Sequence, residues 1–136
     1  MMMVHLLSRQ PHLTHEQFID HWQNVHGPLV KGHADAIGLR RYVQLHSGYQ
    51  SVVDAINGPR DGEANFGGEW DGLAMSWWDS EEDFFAHVGS EEGKAAMAEI
   101  MEDEPKFSNY DRSVLLFGDE KLVIGDRKLL FGYQGD

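Results

Sequence analysis

The sequence predicts one α+β domain in which two helices pack on an antiparallel sheet. Two observations support this prediction. Extended and helical patterns alternate in the order strand, helix, strand, strand, helix, strand, and two helix-start signatures each precede an apolar stripe at spacings of three and four residues. A chain of 136 residues fits a single domain of ordinary size, with enough apolar material for an independent core.

The first strand and helix are predicted from residues 2–33. Residues 2–9 alternate loosely in hydrophobicity, which predicts strand one. Thr14 followed by Gln17 forms a capping box, which predicts a helix start. Pro28 cannot donate a backbone hydrogen bond, so we expect a kink or break directly after His26. The apolar stripe of this helix comprises Phe18, Ile19, Trp22, Val25, His26, Leu29 and Val30.

Strand two is predicted across residues 39–46, and its two faces differ. The face with Leu39, Arg41, Val43 and Leu45 suits a core beneath helices. The other face carries the hydrogen-bonding side chains of Tyr42, Gln44 and His46, which suit a wall that contacts a ligand. A solvated face would show the same pattern, so both interpretations stay open for these three residues.

The remaining elements complete the pattern of a ferredoxin-like βαββαβ fold. Residues 47–70 form an insertion with a short helix over residues 51–56 and an irregular, glycine-rich flap. Strand three covers residues 71–78, a second helix begins after Ser80 and ends before Pro105, and strand four covers residues 113–117. Asp71 is interpreted as a turn residue before strand three, with an orienting carboxylate as the alternative.

The domain is predicted to comprise residues 1–118, including the insertion at 47–70. Residues 119–136 form a C-terminal extension with two apolar patches, at 122–124 and 129–131. We expect this extension to add an edge strand or to contact a dimer partner. An open four-stranded sheet would expose a large apolar face, which independently favours a homodimer.

Composition excludes several classes of function. Eleven Lys and Arg against 23 Asp and Glu give a net charge of −12, which disfavours nucleic acids and anionic membrane surfaces as partners. No apolar stretch approaches the roughly 20 residues of a membrane span, and the N-terminus lacks the pattern of a secretory signal. The absence of Cys excludes disulfides and thiolate chemistry, and it suits a cytoplasmic location.

Sequence motifs predict neither a metal site nor an organic cofactor. Of the eight histidines, His15, His21, His26 and His33 have no spacing of four residues that would place two imidazoles on one metal ion. Glycine-rich nucleotide motifs and a nucleophile elbow are also absent. We therefore expect chemistry by acid–base groups alone.

Four sequence blocks resemble the EthD-like family of the dimeric α/β barrel superfamily. The blocks are LSRQP at residues 7–11, F-x-x-x-W-x-x-x-HGPLV at 18–30, RYVQLH at 41–46 and DGLA at 71–74. The resemblance implies a homodimer whose two sheets face each other and enclose a pocket between sheet and helices. Similar family members degrade ethers and aromatic compounds or act as lactone isomerases, dehydratases and cyclases. The lack of Cys, the insertion and the tail depart from the family pattern.

His26 is the first candidate catalytic residue. It lies on the buried helix face before the Gly27-Pro28 break, and an ordinary pKa of about 6.5 suits proton transfer at neutral pH. A core histidine bonded to backbone is the alternative that spacing alone favours; the resemblance favours a pocket role. Tyr42 is the second candidate, as a hydrogen-bond donor to an oxyanion.

Five further residues are candidates for substrate binding. His5, Gln44 and His46 offer polar groups on predicted strands, and Trp22 and Trp77 offer flat apolar walls. Solvent-facing strand positions and ordinary core packing are the alternatives for these residues. The phase of strand one, and with it the direction of His5, cannot be fixed from sequence.

The sequence supports three functional hypotheses. The first is a cofactor-independent isomerase, cyclase or dehydratase that acts on a cyclic or aromatic oxygenated compound by histidine acid–base catalysis. The second is a non-catalytic ligand-binding or accessory protein of a degradation or biosynthetic pathway. The third, suggested by relatives in the wider superfamily, is a haem-linked monooxygenase in which a histidine binds the iron. Whether the protein is an enzyme stays open at this point.

Overall fold

The computed structural model describes residues 1–58 and 70–126, which form an α+β fold as predicted. The strands are β1 (Met2–Leu7), β2 (Arg41–His46), β3 (Gly72–Trp77) and β4 (Val114–Gly118). The helices are α1 (His15–His21), α2 (Gly27–His33), α3 (Gln50–Asn57), α4 (Glu81–Val88) and α5 (Glu91–Asp103). Most of the predicted flap and the apolar patch at 129–131 lie outside the described residues.

The four described strands form one antiparallel sheet in the order β2-β3-β1-β4. This arrangement confirms the predicted ferredoxin-like topology, with the two central strands β1 and β3 between edge strands. The described part of the C-terminal extension, residues 119–126, adds no strand to the sheet. None of the helices in the described part is long and apolar enough to span a bilayer.

The predicted capping box fixes the start of α1. The Thr14 hydroxyl accepts a hydrogen bond from the Gln17 backbone N–H at 3.1 Å, and the Gln17 side chain accepts one from the Thr14 N–H at 2.8 Å. Two backbone donors that the helix leaves free are thereby satisfied. The start of the helix layer over the sheet is thus set by local sequence.

Asp71 anchors the beginning of α1 to the end of β1, a role larger than that of the predicted turn residue. Its buried carboxylate accepts hydrogen bonds from the Arg9 backbone and side chain and from His15 Nδ1, at 2.7 to 2.8 Å. Burial acts to raise the pKa of Asp71, but the hydrogen bonds from His15 and Arg9 hold it below its ordinary value. The Asp71 carboxylate therefore holds His15 in place at the start of α1.

Pro28 is accommodated by a wide helical turn rather than by the expected break. Residues 22–26 form a π-helical turn, and α2 continues directly from it. The Gly27 N–H donates to the carbonyl of Trp22, five residues back. Since Pro28 has no N–H to offer and sits in the first turn of α2, this register suits it. The predicted break directly after His26 was wrong, because the helix continues through Gly27 and Pro28 and its irregular turn ends at His26.

The sequence predicted that the face of β2 with Val43 would lie beneath the helices. The opposite face lies there instead. Tyr42 and Gln44 lie on the helix side of the sheet, in register with Ser76 and Ala74 of β3. Val43 and the other odd-numbered positions of β2 point to the outer face of the sheet. The prediction failed because both faces of β2 carry side chains that can be buried. Hydropathy alone therefore could not show which face lies beneath the helices.

Trp22 is the largest fully buried side chain, only 1% exposed, and it packs directly on the sheet. A Cβ added at Gly72 would lie 2.4 Å from the Trp22 ring and 2.7 Å from the Leu45 carbonyl oxygen. The close approach of helix and sheet therefore requires glycine at position 72. Phe18 and Phe107 complete this half of the core, and Trp78, Val30, Ile37 and Ile100 belong to the other half.

We predict that Gly72→Ala destabilises the protein by about 1–3 kcal/mol, the usual cost of overpacking a dense core. Urea unfolding followed by tryptophan fluorescence measures this change. Gly32→Ala is the matched control, because its added methyl meets nothing within 4 Å and α2 gains helix propensity. Equal stabilities of the Gly72→Ala variant and the wild type would contradict the packing argument.

Candidate functional site

A cavity of about 280 Å³ lies between the helices and the sheet. All four strands contribute to its wall, together with the π-helical turn, α2, α4, α5 and the segment that follows α5. Most of the lining is aliphatic or aromatic. The polar side chains that line it are His5, His26, Tyr42, Ser76 and Glu104. An apolar wall with a few convergent polar groups is typical of a small-molecule site.

His26 is buried at the end of the π-helical turn and lines this cavity. Its Nδ1 donates a hydrogen bond to Asp103 Oδ2 at 3.0 Å, and its ring contacts Phe107. With Nδ1 engaged by the carboxylate, Nε2 is the nitrogen that can act on a ligand. The geometry is that of an imidazole held in one tautomer by a carboxylate, which suits a general base.

The pKa values of this pair favour a neutral imidazole beside an ionised carboxylate. Burial lowers the pKa of His26, against the opposing effects of the Asp103 hydrogen bond and the negative charge of Glu104. Burial alone would raise the pKa of Asp103, but hydrogen bonds from His21 and His26 hold it below its ordinary value. His21 Nε2 lies 3.1 Å from both Asp103 oxygens, so Asp103 is fixed from two sides.

Tyr42 presents its hydroxyl to the same cavity, and two neighbouring N–H groups already donate hydrogen bonds to its oxygen. Trp22 Nε1 donates to the Tyr42 oxygen at 3.1 Å, and Gln44 Nε2 donates to it at 3.3 Å. Because these N–H groups occupy the lone pairs of the oxygen, the Tyr42 proton is left to donate to a ligand. Burial raises the pKa of Tyr42, which keeps the phenol protonated.

Gln44, His46 and Trp22 support Tyr42 from the edge of the cavity. Gln44 also donates to the Trp22 carbonyl at 2.9 Å, and its own amide oxygen accepts from His46 Nε2 at 2.9 Å. His46 is exposed and packs on the Trp22 ring. Of these three predicted substrate-binding residues, only Trp22 lines the cavity, and Gln44 and His46 lie behind Tyr42.

The structure separates the two remaining candidates. His5 lies on β1 and lines the cavity, and burial lowers its pKa. Trp77 lies on the outer face, where Arg41 stacks over its ring at 4.6 Å and Glu120 accepts from its indole N–H. The neighbouring Trp78 lines the cavity instead. The structure therefore does not bring Trp77 to His26, because adjacent residues of a strand face opposite ways.

The sequence did not point to Asp103 and Glu104, although their side chains supply the two carboxylates of the site. Glu104 lines the cavity, and its carboxylate accepts a hydrogen bond from the Tyr110 hydroxyl at 2.9 Å. One signal was available. Residues 102–104 are three consecutive acidic residues at the C-terminal end of a helix, where the helix dipole disfavours negative charge. Such a placement indicates a role other than helix stability.

Metal binding has no geometric support within residues 1–58 and 70–126. No group of three or more His, Asp or Glu side chains converges there in a way that could hold an ion. His21, His26 and Asp103 are close together, but their nitrogen and oxygen atoms pair with one another. The site as described is a set of proton donors and acceptors.

We predict that Asp103→Asn lowers the pKa of His26 further. The carboxylate charge and hydrogen bond raise the His26 pKa, so their weakening leaves the lowering effect of burial less opposed. A proton NMR titration of the imidazole between pH 4 and 8 measures the change. Glu102→Asn is the control, since residue 102 is exposed and does not line the cavity. An unchanged or raised His26 pKa in Asp103→Asn would contradict the proposed pairing.

The chain is similar to solved structures of other proteins. A structure of an ethyl tert-butyl ether D (EthD) family protein from Bacillus halodurans aligns with a TM-score of 0.55 at 20% identity, covering 89% of this chain and 99% of that one. A dimeric protein of unknown function and ferredoxin-like fold from Bacteroides fragilis aligns with a TM-score of 0.41 at 11% identity, covering 85% and 90%. No curated protein matches the chain.

The family assignment rests on the sequence itself. The EthD domain profile matches residues 10–111, which contain the cavity-lining residues of the π-helical turn, β2, β3 and α5. The match covers well over half of the chain. The protein therefore belongs to the EthD family.

Proposed function

We propose that the protein is a cofactor-independent isomerase, cyclase or dehydratase for a small cyclic or aromatic oxygenated compound. The observation that carries this proposal is the His26–Asp103 pair, buried at the wall of an apolar cavity. A histidine held by a carboxylate and kept neutral by burial is a base at pH 7. The family resemblance seen in the sequence includes enzymes of these three classes.

The chemistry is a proton transfer next to a carbonyl group. His26 Nε2 removes a proton from the carbon beside the carbonyl, and the Tyr42 hydroxyl donates a hydrogen bond to the enolate oxygen that forms. Return of the proton to another carbon completes an isomerisation, and its transfer to a departing hydroxyl group releases water in a dehydration. The apolar lining of the cavity strengthens both interactions, because polar contacts are stronger in a medium of low dielectric.

A second candidate function is ligand binding without turnover, in support of another enzyme. The predominance of apolar and aromatic residues in the lining favours this alternative, since hydrocarbon contacts alone give affinity. The two candidates differ in whether His26 moves a proton. The haem-linked alternative stays a prediction, and a Soret band in haem-reconstituted protein would support it.

Homodimerisation through the outer face of the sheet is part of the proposal. This face carries a nearly continuous apolar surface, formed by Val4, Leu6, Val43, Leu45, Leu73, Met75, Val114 and Leu116. Leu45 is 51% exposed and Leu116 is 68% exposed. Exposed apolar surfaces of this kind mark interaction sites. Residues 120–126 lie over one end of the face, beside Trp77.

We predict that the protein accelerates hydrogen exchange at the acidic carbon of 2-tetralone in D₂O, followed by proton NMR, and that His26→Gln reduces the exchange to the buffer rate. Tyr42→Phe should reduce it by about 10²-fold, a typical loss for one oxyanion donor.

His21→Gln is the matched control for this experiment. His21 also bonds to Asp103 but does not line the cavity, so its loss should leave most of the exchange activity. Wild-type exchange in a folded His26→Gln variant would remove the proposed mechanism. Binding of 2-tetralone without any accelerated exchange would favour the ligand-binding alternative.

We predict that Leu116→Asp converts the dimer to a monomer at micromolar concentration, because the new carboxylate would be buried unpaired in the proposed interface. Sedimentation velocity measures the oligomeric state. Val25→Asp is the control, since Val25 is an exposed apolar residue of the helix layer. A monomeric wild-type protein would contradict the dimer proposal.

A further inference from the structure

Glu104 gives the cavity a negative charge that the proton transfer does not use. It lies directly after α5, and its side chain is half-buried at the cavity wall. The negative charge of Glu104 acts on His5, His26 and Tyr42, which come from three different elements. The carboxylate is therefore within electrostatic reach of the polar groups that face a ligand.

Among the described residues, no positive side chain lines the cavity to balance this charge. Lys and Arg are absent from the described residues that line it, and burial keeps the pKa values of His5 and His26 below their ordinary value. Asp103, directly behind His26, carries a second negative charge, which Lys106 balances in part from outside the cavity, with its Nζ 3.7 Å from Asp103 Oδ1. An anionic ligand would meet the negative charge of Glu104 at a wall whose described residues offer no counterion, which costs binding energy.

The hydrogen bonds of Glu104 also favour a ligand that carries a hydrogen-bond donor. Tyr110 donates to Glu104 Oε2, and a carboxylate has further acceptor positions on both oxygens. A ligand hydroxyl group can use them. Tyr42 offers the opposite function, a proton for a carbonyl or phenolic oxygen.

We propose that Glu104 determines specificity by admitting uncharged ring compounds that carry a hydroxyl group and by rejecting carboxylates. The inference rests on the proposed function, because it concerns the ligand of the same cavity. The size of the site fits this class, since an engineered cavity of about 150 Å³ holds benzene and about 280 Å³ can hold two fused rings. A lactone or ring acid with a free carboxylate is excluded as substrate.

Isothermal titration calorimetry at pH 7 with 2-naphthol and 2-naphthoate tests this selection. The two probes share a ring system and differ in charge. The wild-type protein should bind 2-naphthol at least tenfold more tightly than 2-naphthoate. Glu104→Gln should reduce this preference about tenfold, mainly by tighter binding of 2-naphthoate, because the repelling charge is gone and the shape of the side chain is retained.

Glu102→Gln is the matched control, because it removes the same charge from an exposed position two residues away. It should leave the preference unchanged. Equal wild-type affinities for the two probes, no binding of either probe, or a preference that Glu104→Gln does not alter would overturn the inference. The wild-type ratio is informative even if a variant fails to fold.

The outcome is separable from that of the exchange experiment. A preference that depends on Glu104, without any exchange that depends on His26, would support the specificity role and reject the catalytic one. Exchange that depends on His26, with no preference between the probes, would do the reverse.

Discussion

The contact between Trp22 and Gly72 is the constraint on which the rest of the site depends. Burial of an indole of about 200 Å² contributes about 5 kcal/mol at 25 cal per Å², and only a glycine at position 72 lets the ring approach so closely. Trp22 also donates its indole N–H to Tyr42, and the Trp22 carbonyl accepts hydrogen bonds from Gly27 and Gln44. Helix layer, strand β2 and cavity wall are thus aligned by one side chain and its backbone.

The sequence was sufficient for the order of elements and for the starts of the helices. These features depend on local chemistry, such as the pair Thr14 and Gln17, whose hydrogen bonds connect residues three apart. The place of His26 was also predictable, because the Gly27-Pro28 step disturbs a helix wherever it occurs. The family could be recognised from four short blocks in the correct order, and the match over residues 10–111 confirms that recognition.

The partners of His26 could not be predicted, because they depend on contacts across the fold. Asp103 is 77 residues from His26 along the chain and reaches it only when α5 packs beside α2. The phase of β2 and the separation of Trp77 from Trp78 follow from strand register, and a shift of one residue exchanges the two faces of a sheet. Tyr42 lines the cavity, as its predicted role requires, but the two hydrogen bonds that Trp22 and Gln44 donate to it depend on the folded structure.

The π-helical turn sets the direction of the imidazole through the winding of the backbone. Each residue of an α-helix advances it by about 100°, whereas the turn at residues 22–26 closes its hydrogen bond over five residues and so holds one residue more than an ordinary turn. If the same residues wound as an ordinary α-helix, every position after the turn would be rotated relative to Phe18, and His26 would point in another direction. A local change in winding, without any change in composition, is therefore enough to decide which side chain a helix presents to a cavity.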